Sequence, residues 1–335
     1  MIVINNYFSG VLKRGIPIYT EELVIQMRKK SIKVIELKCP RLMYRLPFSV
    51  HNLMFVFYDQ LLTPLLGLIV RSKYNIYPYN SVSIFDAFIG KSVIIIHDLI
   101  SLHKSKKSLS SKYVSCCLLK GSKFKSDYIY ISKTTKRVID NINLFNDSIG
   151  FYFPNTFYRF EKMASETIKK DEGYILLVSG NGENKDLRGA LELYFSLKDN
   201  FRLPLKILGC GNDIGFVNHL LENYEDRQSV EVVPFIDMSD VVSLYCSSTF
   251  IWAHSKHEGY GRAVAEAKLS HKNILCSRIA AFSEQKDCNV YLYSNKDSFE
   301  SQVKAISFSD FNMNEEKLIE HRIFEQQLGV LNEKE

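Results

Sequence analysis

The chain has 335 residues, with 43 Lys and Arg against 37 Asp and Glu (net +6), 46% hydrophobic and 24% charged residues. This composition excludes a disordered, collagen-like or low-complexity protein, and the length predicts two domains, each large enough to bury its own core. The total hides a split: residues 1–160 hold 23 basic against 9 acidic side chains, net +14, and residues 161–335 hold 20 against 28, net −8. A basic half of this kind is a candidate to face nucleic acid, a membrane surface or a phosphorylated substrate.

The cysteines at 39, 116, 117, 210, 246, 276 and 288 are odd in number and include no Cys-x-x-Cys pair. Neither a disulfide framework nor a zinc site is suggested, and a reducing compartment is expected. The opening Ile2-Val3-Ile4-Asn5-Asn6 lacks a basic, then long apolar, leader pattern. A cytoplasmic location without a secretory leader is therefore expected.

Along the first half, strands are predicted at 2–4, 34–37, 93–97 and 128–131, and helices at 16–30, 108–119 and 134–142. The most apolar stretch, 46–70, is interrupted by Pro47, His51, Asp59, Gln60 and Pro64, which a lipid-spanning helix tolerates poorly. It reads as a buried or interfacial helix, with the buried core preferred. Periodicity lapses near 151–172, through Pro154-Asn155-Thr156 and Lys169-Lys170-Asp171-Glu172-Gly173, as in an interdomain connection. Beyond it, strands at 175–178, 205–208, 230–233, 250–253 and 273–276 alternate with helices at 186–197, 213–223, 238–246 and 260–269. Such alternation requires parallel sheets covered by helices on both faces. The expected fold class is α/β, with doubly wound domains at 1–155 and 173–312, a linker at 156–172, and a C-terminal helix in 313–335 for which packing back on the first domain is one option.

In open parallel sheets, ligands bind beyond the carboxyl ends of strands, so the loops there should hold the site. The informative loop is Ser255-Lys256-His257-Glu258-Gly259-Tyr260-Gly261-Arg262-Ala263-Val264-Ala265-Glu266-Ala267. Two glycines flank an aromatic at a strand-to-helix turn, which lets the backbone approach a ligand and exposes helix N-terminal N–H groups to an anion. His97 ends an apolar strand and is followed by Asp98; a satisfied core histidine is the ordinary alternative. Gly209-x-Gly211-x-x-x-Gly215 is read as a tight turn rather than a dinucleotide fingerprint, because no acid ends the next strand.

The 255–267 segment resembles the E-x7-E signature of the GT4 family of retaining glycosyltransferases of the GT-B fold, through Ser255, Glu258-Gly259-Tyr260-Gly261 and Glu266-Ala267. Lys185-Asp186-Leu187 looks like the family's phosphate-binding Lys-Asn-Leu, and Leu205-Lys206-Ile207-Leu208-Gly209-Cys210-Gly211 like its next strand and glycine turn. Gly15-Ile16, His97-Asp98-Leu99, Ser132 and Pro154-Asn155 fall where the family has its glycine loop, histidine loop, helix-opening serine and Pro-Asn-Gly, so the resemblance spans nearly the whole chain.

The resemblance implies two Rossmann-like domains facing each other across a cleft and a retaining, metal-independent hexosyltransferase needing no cofactor. It would move a hexose or deoxyhexose from a nucleotide diphosphate sugar, GDP-mannose being preferred by family analogy. The implied acceptor is a lipid-diphosphate-linked saccharide in bacterial O-antigen, lipopolysaccharide or capsule assembly, with the protein peripheral on the inner face of the cell membrane. By the same resemblance, Glu266 holds the ribose hydroxyls, Glu258 contacts the transferred sugar and Lys185 neutralises the diphosphate. Gly259, Tyr260 and Gly261 shape the anion site, Gly180, Arg262 and Gly15 join the donor contacts, and His97 approaches the sugar from the first domain. Glu258, His97 and Lys185 form the implied catalytic set, with no metal ligand. Charge-assisted hydrogen bonds and fixed dipoles suit these roles.

Three departures stand out. The run Ser179-Gly180-Asn181 lacks the family's arginine, leaving the diphosphate to Lys185 alone or to Arg188 or Arg262 as substitutes. The N-terminal loop Lys13-Arg14-Gly15-Ile16-Pro17-Ile18 lacks the usual paired glycines, and His254 replaces a common proline without an expected chemical effect. Residues 101–137 carry ten Lys and Arg against one acid, Asp127. They read as a contact for an anionic membrane rather than nucleic acid, against the ordinary alternative of solvated lysines. A noncatalytic sugar-nucleotide or polysaccharide-binding protein on the same scaffold is the second reading, and an NAD-dependent oxidoreductase a third that is expected to fail.

Overall fold

Short, mostly apolar runs such as Ile2–Asn5, Ile175–Val178 and Phe250–Ala253 form the strands, as parallel sheets buried on both faces favour. In the computed structural model, which describes residues 1–12, 15–103, 108–211, 213–312 and 319–333, these strands build two separate sheets. Lys13 and Arg14 of the N-terminal loop, residues 104–107 of the basic stretch, and 313–318 and 334–335 of the expected C-terminal helix lie outside the described residues. The chain divides into two compact units, Met1–Thr156 with Lys317–Glu335, and Phe157–Glu316.

The first unit runs β1 (Ile2–Asn5), α1 (Ile16–Lys29), β2 (Val34–Leu37), α2 (Phe48–Phe57), a π-helical turn (Tyr58–Leu62), α3 (Thr63–Ile69), β3 (Tyr74–Tyr77), α4 (Ile84–Phe88), β4 (Ser92–Ile96), α5 (Ile100–His103), α6 (Leu109–Lys123), β5 (Asp127–Tyr130), α7 (Lys133–Asn141) and β6 (Gly150–Tyr152). Among the described residues its strands form one parallel sheet in the order β2-β1-β3-β4-β5-β6. Ser132 starts α7 by accepting a 2.9 Å hydrogen bond from the Thr135 N–H, which satisfies one of the helix's open donors.

The second unit runs α8 (Tyr158–Glu166), β7 (Ile175–Val178), α9 (Leu187–Phe195), β8 (Leu205–Leu208), α10 (Ile214–Leu221), β9 (Val230–Val232), α11 (Met238–Ser247), β10 (Phe250–Ala253), α12 (Arg262–Leu269), β11 (Ile274–Ser277), α13 (Ala280–Glu284), β12 (Val290–Tyr293) and α14 (Lys296–Ser307). Its parallel sheet is ordered β12-β11-β10-β7-β8-β9. The chain starts at β7, builds outward to β9, then crosses to β10 on the other side of β7. The topological switch point, where open α/β sheets leave a crevice for ligands, therefore lies between the loops that follow β7 and β10. A last helix, α15 (Ile319–Glu333), returns to the first unit, where the buried Phe324 ring meets Phe153 edge-on, centroids 5.4 Å apart, beside β6.

Strands β3, β6 and β12 and helices α4, α5, α8, α13 and α14 are not among the elements expected from the sequence. The strands β3, β6 and β12 read Tyr-Asn-Ile-Tyr, Gly-Phe-Tyr and Val-Tyr-Leu-Tyr, in which aromatics with polar atoms take the places of β-branched residues. The stretch expected as a linker at 156–172 holds α8. Its Phe160 is buried edge-on against Tyr245 of α11, with centroids 5.4 Å apart, so aromatic anchors order a segment whose polar composition had suggested a connection.

The stretch 46–70 also differs from its preferred reading. It is a helix broken by the π turn, packed on the sheet by one face only: Asp59, Thr63 and Gly67 are buried, while Leu53 is 71% and Leu61 60% exposed. Asp59 is held inside by hydrogen bonds from Asn5 Nδ2 at 2.5 Å and Tyr113 hydroxyl at 2.9 Å. Apolar composition alone left the buried face undetermined.

Candidate functional site

The loop after β10 is built around a conformation that only glycine adopts easily. Gly261 has φ +85°, and a Cβ there would lie 2.5 Å from Cε1 of the Phe282 ring. The left-handed residue stops the incoming chain and starts α12, and Gln285 Nε2 clamps the turn by donating to the Tyr260 carbonyl at 2.5 Å. From below, Ser277 Oγ accepts from the Ser255 N–H at 3.0 Å and donates to the Ser255 carbonyl at 2.7 Å.

This turn carries the two glutamates. Glu258 accepts a 2.8 Å hydrogen bond from Ser255 Oγ and pairs with Lys185 Nζ, its side chain 16% exposed. Glu266, on the first turns of α12, accepts from the Tyr245 hydroxyl at 2.9 Å and from Arg262 Nε at 3.3 Å. Burial, reinforced by the Glu266 charge and hydrogen bond, pushes the Tyr245 phenol well above its ordinary value, so it stays a neutral donor to the carboxylate. The Arg262 guanidinium lies 4.3 Å from the Phe157 ring centre, a cation–π contact that fixes it beside Glu266.

The loop after β7 meets this turn across the switch point. Its single 3-10 turn, Glu183–Lys185, is tied to the β10 loop by the Lys256 N–H donating to the Asn184 carbonyl at 2.7 Å and by Asn184 Nδ2 donating to the His257 carbonyl at 3.1 Å. Those two bonds place Lys185 against Glu258. Gly180 has no comparable steric demand, its nearest neighbour to an added Cβ being Lys185 Cγ at 3.7 Å. The adjoining glycine turn after β8 does have one: a Cβ on Gly209, at φ +109°, would lie 2.1 Å from the Ser179 carbonyl oxygen.

The structure thus brings Glu258, Gly259, Tyr260, Gly261, Arg262, Glu266, Lys185 and Gly180 together at the switch point of the second unit. His97 and Gly15 belong to the first unit. His97 is 7% exposed after β4; its N–H donates to Asn80 Oδ1 at 2.8 Å, and its ring stands edge-on to Tyr19 at 5.1 Å. Gly15 caps α1 at φ +52° with open space around its Cβ position, so its demand is conformational and not steric.

Of the two arginines that could substitute for the absent one, Arg262 is engaged with Glu266 and Phe157, and Arg188, on α9, lines a surface recess with Glu192 and Tyr224. Asn181, in the arginine's place, donates to Asp213 Oδ2 at 2.8 Å. Lys185 is seated at the loop junction, paired with Glu258.

His254, expected to be without consequence, takes a structural part. Its Nε2 lies 3.5 Å from Asp186 Oδ2, its Nδ1 bonds the Tyr293 hydroxyl, and its ring stacks on Tyr293. Burial lowers the His254 pKa, a shift only partly offset by Asp186. Burial would raise the Asp186 pKa, but hydrogen bonds and charge from Lys256 and His254 outweigh it and hold the carboxyl below its ordinary value. Asp186 sits in the left-handed region at φ +45° immediately after Lys185, so this triad fixes the lysine's backbone. The sequence signal was an aspartate where the family motif has an asparagine, two side chains that both tolerate that conformation.

Two doubly wound parallel-sheet units of this topology are the architecture of the GT-B type. Residues 159–309, all within the second unit, match the family model described as Glycosyl transferases group 1. The chain resembles sucrose-phosphate synthase from Thermosynechococcus elongatus at a TM-score of 0.68 and 10% identity, covering 98% of this chain and 94% of that one. HepE from Anabaena, solved in complex with UDP and glucose, superposes at 0.63 with 13% identity and 99% of both chains. WaaG, a glycosyltransferase involved in lipopolysaccharide biosynthesis, does so at 0.63 with 9% identity, 100% of this chain and 96% of that one. No curated protein matches the sequence.

Proposed function

We propose that the protein is a retaining, metal-independent glycosyltransferase that takes a sugar from a nucleoside diphosphate donor bound at the switch point of its second unit. The observation that carries this reading is the pair of part-buried glutamates on either side of the left-handed Gly261 turn, one seated against Lys185 and the other against Tyr245 and Arg262. A carboxylate oriented by two donors is preorganised to accept paired hydroxyls, so Glu266 receives the ribose diol. Lys185 and the N–H groups that open α12 receive the diphosphate, and they stabilise the charge that grows on it as the glycosidic bond breaks. Glu258 orients the transferred sugar, and the leaving phosphate oxygen takes the acceptor hydroxyl's proton.

The acceptor in this reading is a lipid-diphosphate-linked saccharide of a bacterial surface polysaccharide. The protein works as a peripheral protein on the cytoplasmic side, and the basic 101–137 stretch faces anionic lipid. The net +14 of residues 1–160 supports that placement. GDP-mannose is the donor favoured by the family resemblance; HepE holds UDP. Release of nucleoside diphosphate from UDP-, GDP- and dTDP-linked sugars, with a bacterial lipid extract as acceptor source, tests the reading. Turnover of one donor, retaining the anomeric configuration in the product, is expected. Thermal stabilisation by a donor without release of diphosphate from any of the three would assign a noncatalytic binder instead.

A further inference from the structure

The helix pair α2–α3 leaves an apolar face uncovered that neither sheet needs. Leu53, Phe57, Leu61, Leu65 and Ile69 are 71, 45, 60, 55 and 70% exposed, each four residues after the last. In a continuous α-helix, residues spaced by four drift about 40° per step and would wind off one face over this length. The π turn at Tyr58–Leu62 inserts one residue in mid-helix and returns the phase by about 100°, which keeps the five side chains in one stripe. The stripe continues onto α4: Gln60 Nε2 donates to the Val82 carbonyl at 2.8 Å and Gln60 Oε1 accepts from the Ile84 N–H at 3.1 Å, and α4 exposes Phe85 and Phe88 at 47 and 72%.

Two observations identify what this face fits. The first is charge. Residues 38–126 hold thirteen Lys and Arg against Asp59, Asp86 and Asp98, and Asp59 and Asp86 are buried and hydrogen-bonded inside the unit. Arg41 and Arg45 precede the stripe, and Arg71 and Lys73 follow it, all exposed. An apolar strip with exposed cations before and after it in the chain complements anionic headgroups over acyl chains. The second is attachment. The run Phe48–Ile69 is long and apolar enough to cross a bilayer. Its other face, however, is pressed on the sheet: an added Cβ on Gly67 would lie 2.3 Å from Asn75 Nδ2, and Asp59 is bonded to Asn5 and Tyr113. The helix therefore lies along the unit with one side outward.

We propose that this face docks the first unit on an anionic lipid bilayer, with α2–α3 lying in the interfacial plane and its leucines entering the acyl boundary. The proposal deepens the membrane part of the proposed function, rests on that part alone, and assigns the contact to the apolar stripe with its flanking cations.

The test is flotation of the full chain with phosphatidylcholine vesicles with and without phosphatidylglycerol, for the wild type and a Leu53→Gln/Leu61→Gln/Leu65→Gln variant. The substituted side chains are exposed, so far-UV circular dichroism and the melting temperature should be unchanged. The wild type should float with the anionic vesicles and much less with neutral ones, and the variant's partition coefficient should fall about a hundred-fold. Unchanged flotation of the variant, no flotation of the wild type, or equal binding to both lipids would overturn the proposal. So would a wild-type dimer that the variant dissociates and that ignores vesicles, since the face would then belong to a second copy of the chain. Flotation decides docking whether or not a nucleoside diphosphate binds, so failure of the donor reading shows separately in a titration of the same preparations.

Discussion

Asp59→Asn should make the protein more resistant to alkaline conditions. Asp59 is fully buried where α2 passes into the π turn. Burial pushes its carboxyl up from 3.8 to about 7, although hydrogen bonds from Tyr113 and Asn5 favour the charged form. In the unfolded chain the group is ionised above 3.8, while in the folded protein it holds its proton until about 7. The folded state therefore binds the extra proton in this window, and stability falls as pH rises through it. The shift of about three units corresponds to about 4 kcal/mol at about 1.4 kcal/mol per unit, of which about 3 kcal/mol is lost between about pH 5 and about pH 8.

Asparagine keeps an oxygen for Asn5 and turns an amide toward Tyr113, at nearly the same volume, without a charge to bury. Urea unfolding of both proteins at the two pH values reads the difference. Relative to wild type, the variant should gain about 3 kcal/mol on going from about pH 5 to about pH 8. Asp86, also raised by burial, titrates in both proteins and drops out of the comparison. Parallel pH profiles would refute the reasoning, because they would mean that Asp59 ionises alike in the folded and unfolded chains.

Gly261→Ala forces a side chain into φ +85° and against the Phe282 ring, and should cost about 1–3 kcal/mol of stability. An unchanged melting temperature would contradict the geometry of the turn. Lys185→Met should weaken nucleoside diphosphate binding about ten- to a hundred-fold, the value of a lost charge-assisted contact, and leave binding of the bare nucleoside unaltered. Equal losses for both ligands in calorimetry would remove the diphosphate from Lys185.

The alternation of strand and helix from β7 to β11 was readable because strands such as β7 and β10 are short apolar runs and helices such as α9 repeat their buried positions every three or four residues, as with Leu187, Ala190, Leu191 and Tyr194. The Gly-Tyr-Gly turn was readable because a left-handed φ leaves its mark as glycine. What escaped were features set by partners distant in sequence. The π turn gives no local sign, since it answers to Asn5 and Tyr113. His254 looked idle because Asp186 and Tyr293 reach it only in the folded unit. Helix α8 was hidden because its order comes from aromatic contacts such as Phe160 on Tyr245.

The donor site at the Gly261 turn is tested most directly by titrating UDP, GDP and dTDP calorimetrically into the wild type and Glu266→Ala. One nucleotide should bind the wild type and lose at least about ten-fold in affinity in the variant, at an unchanged fold. Equal affinity for both proteins, or no binding of any of the three to the wild type, would contradict the assignment.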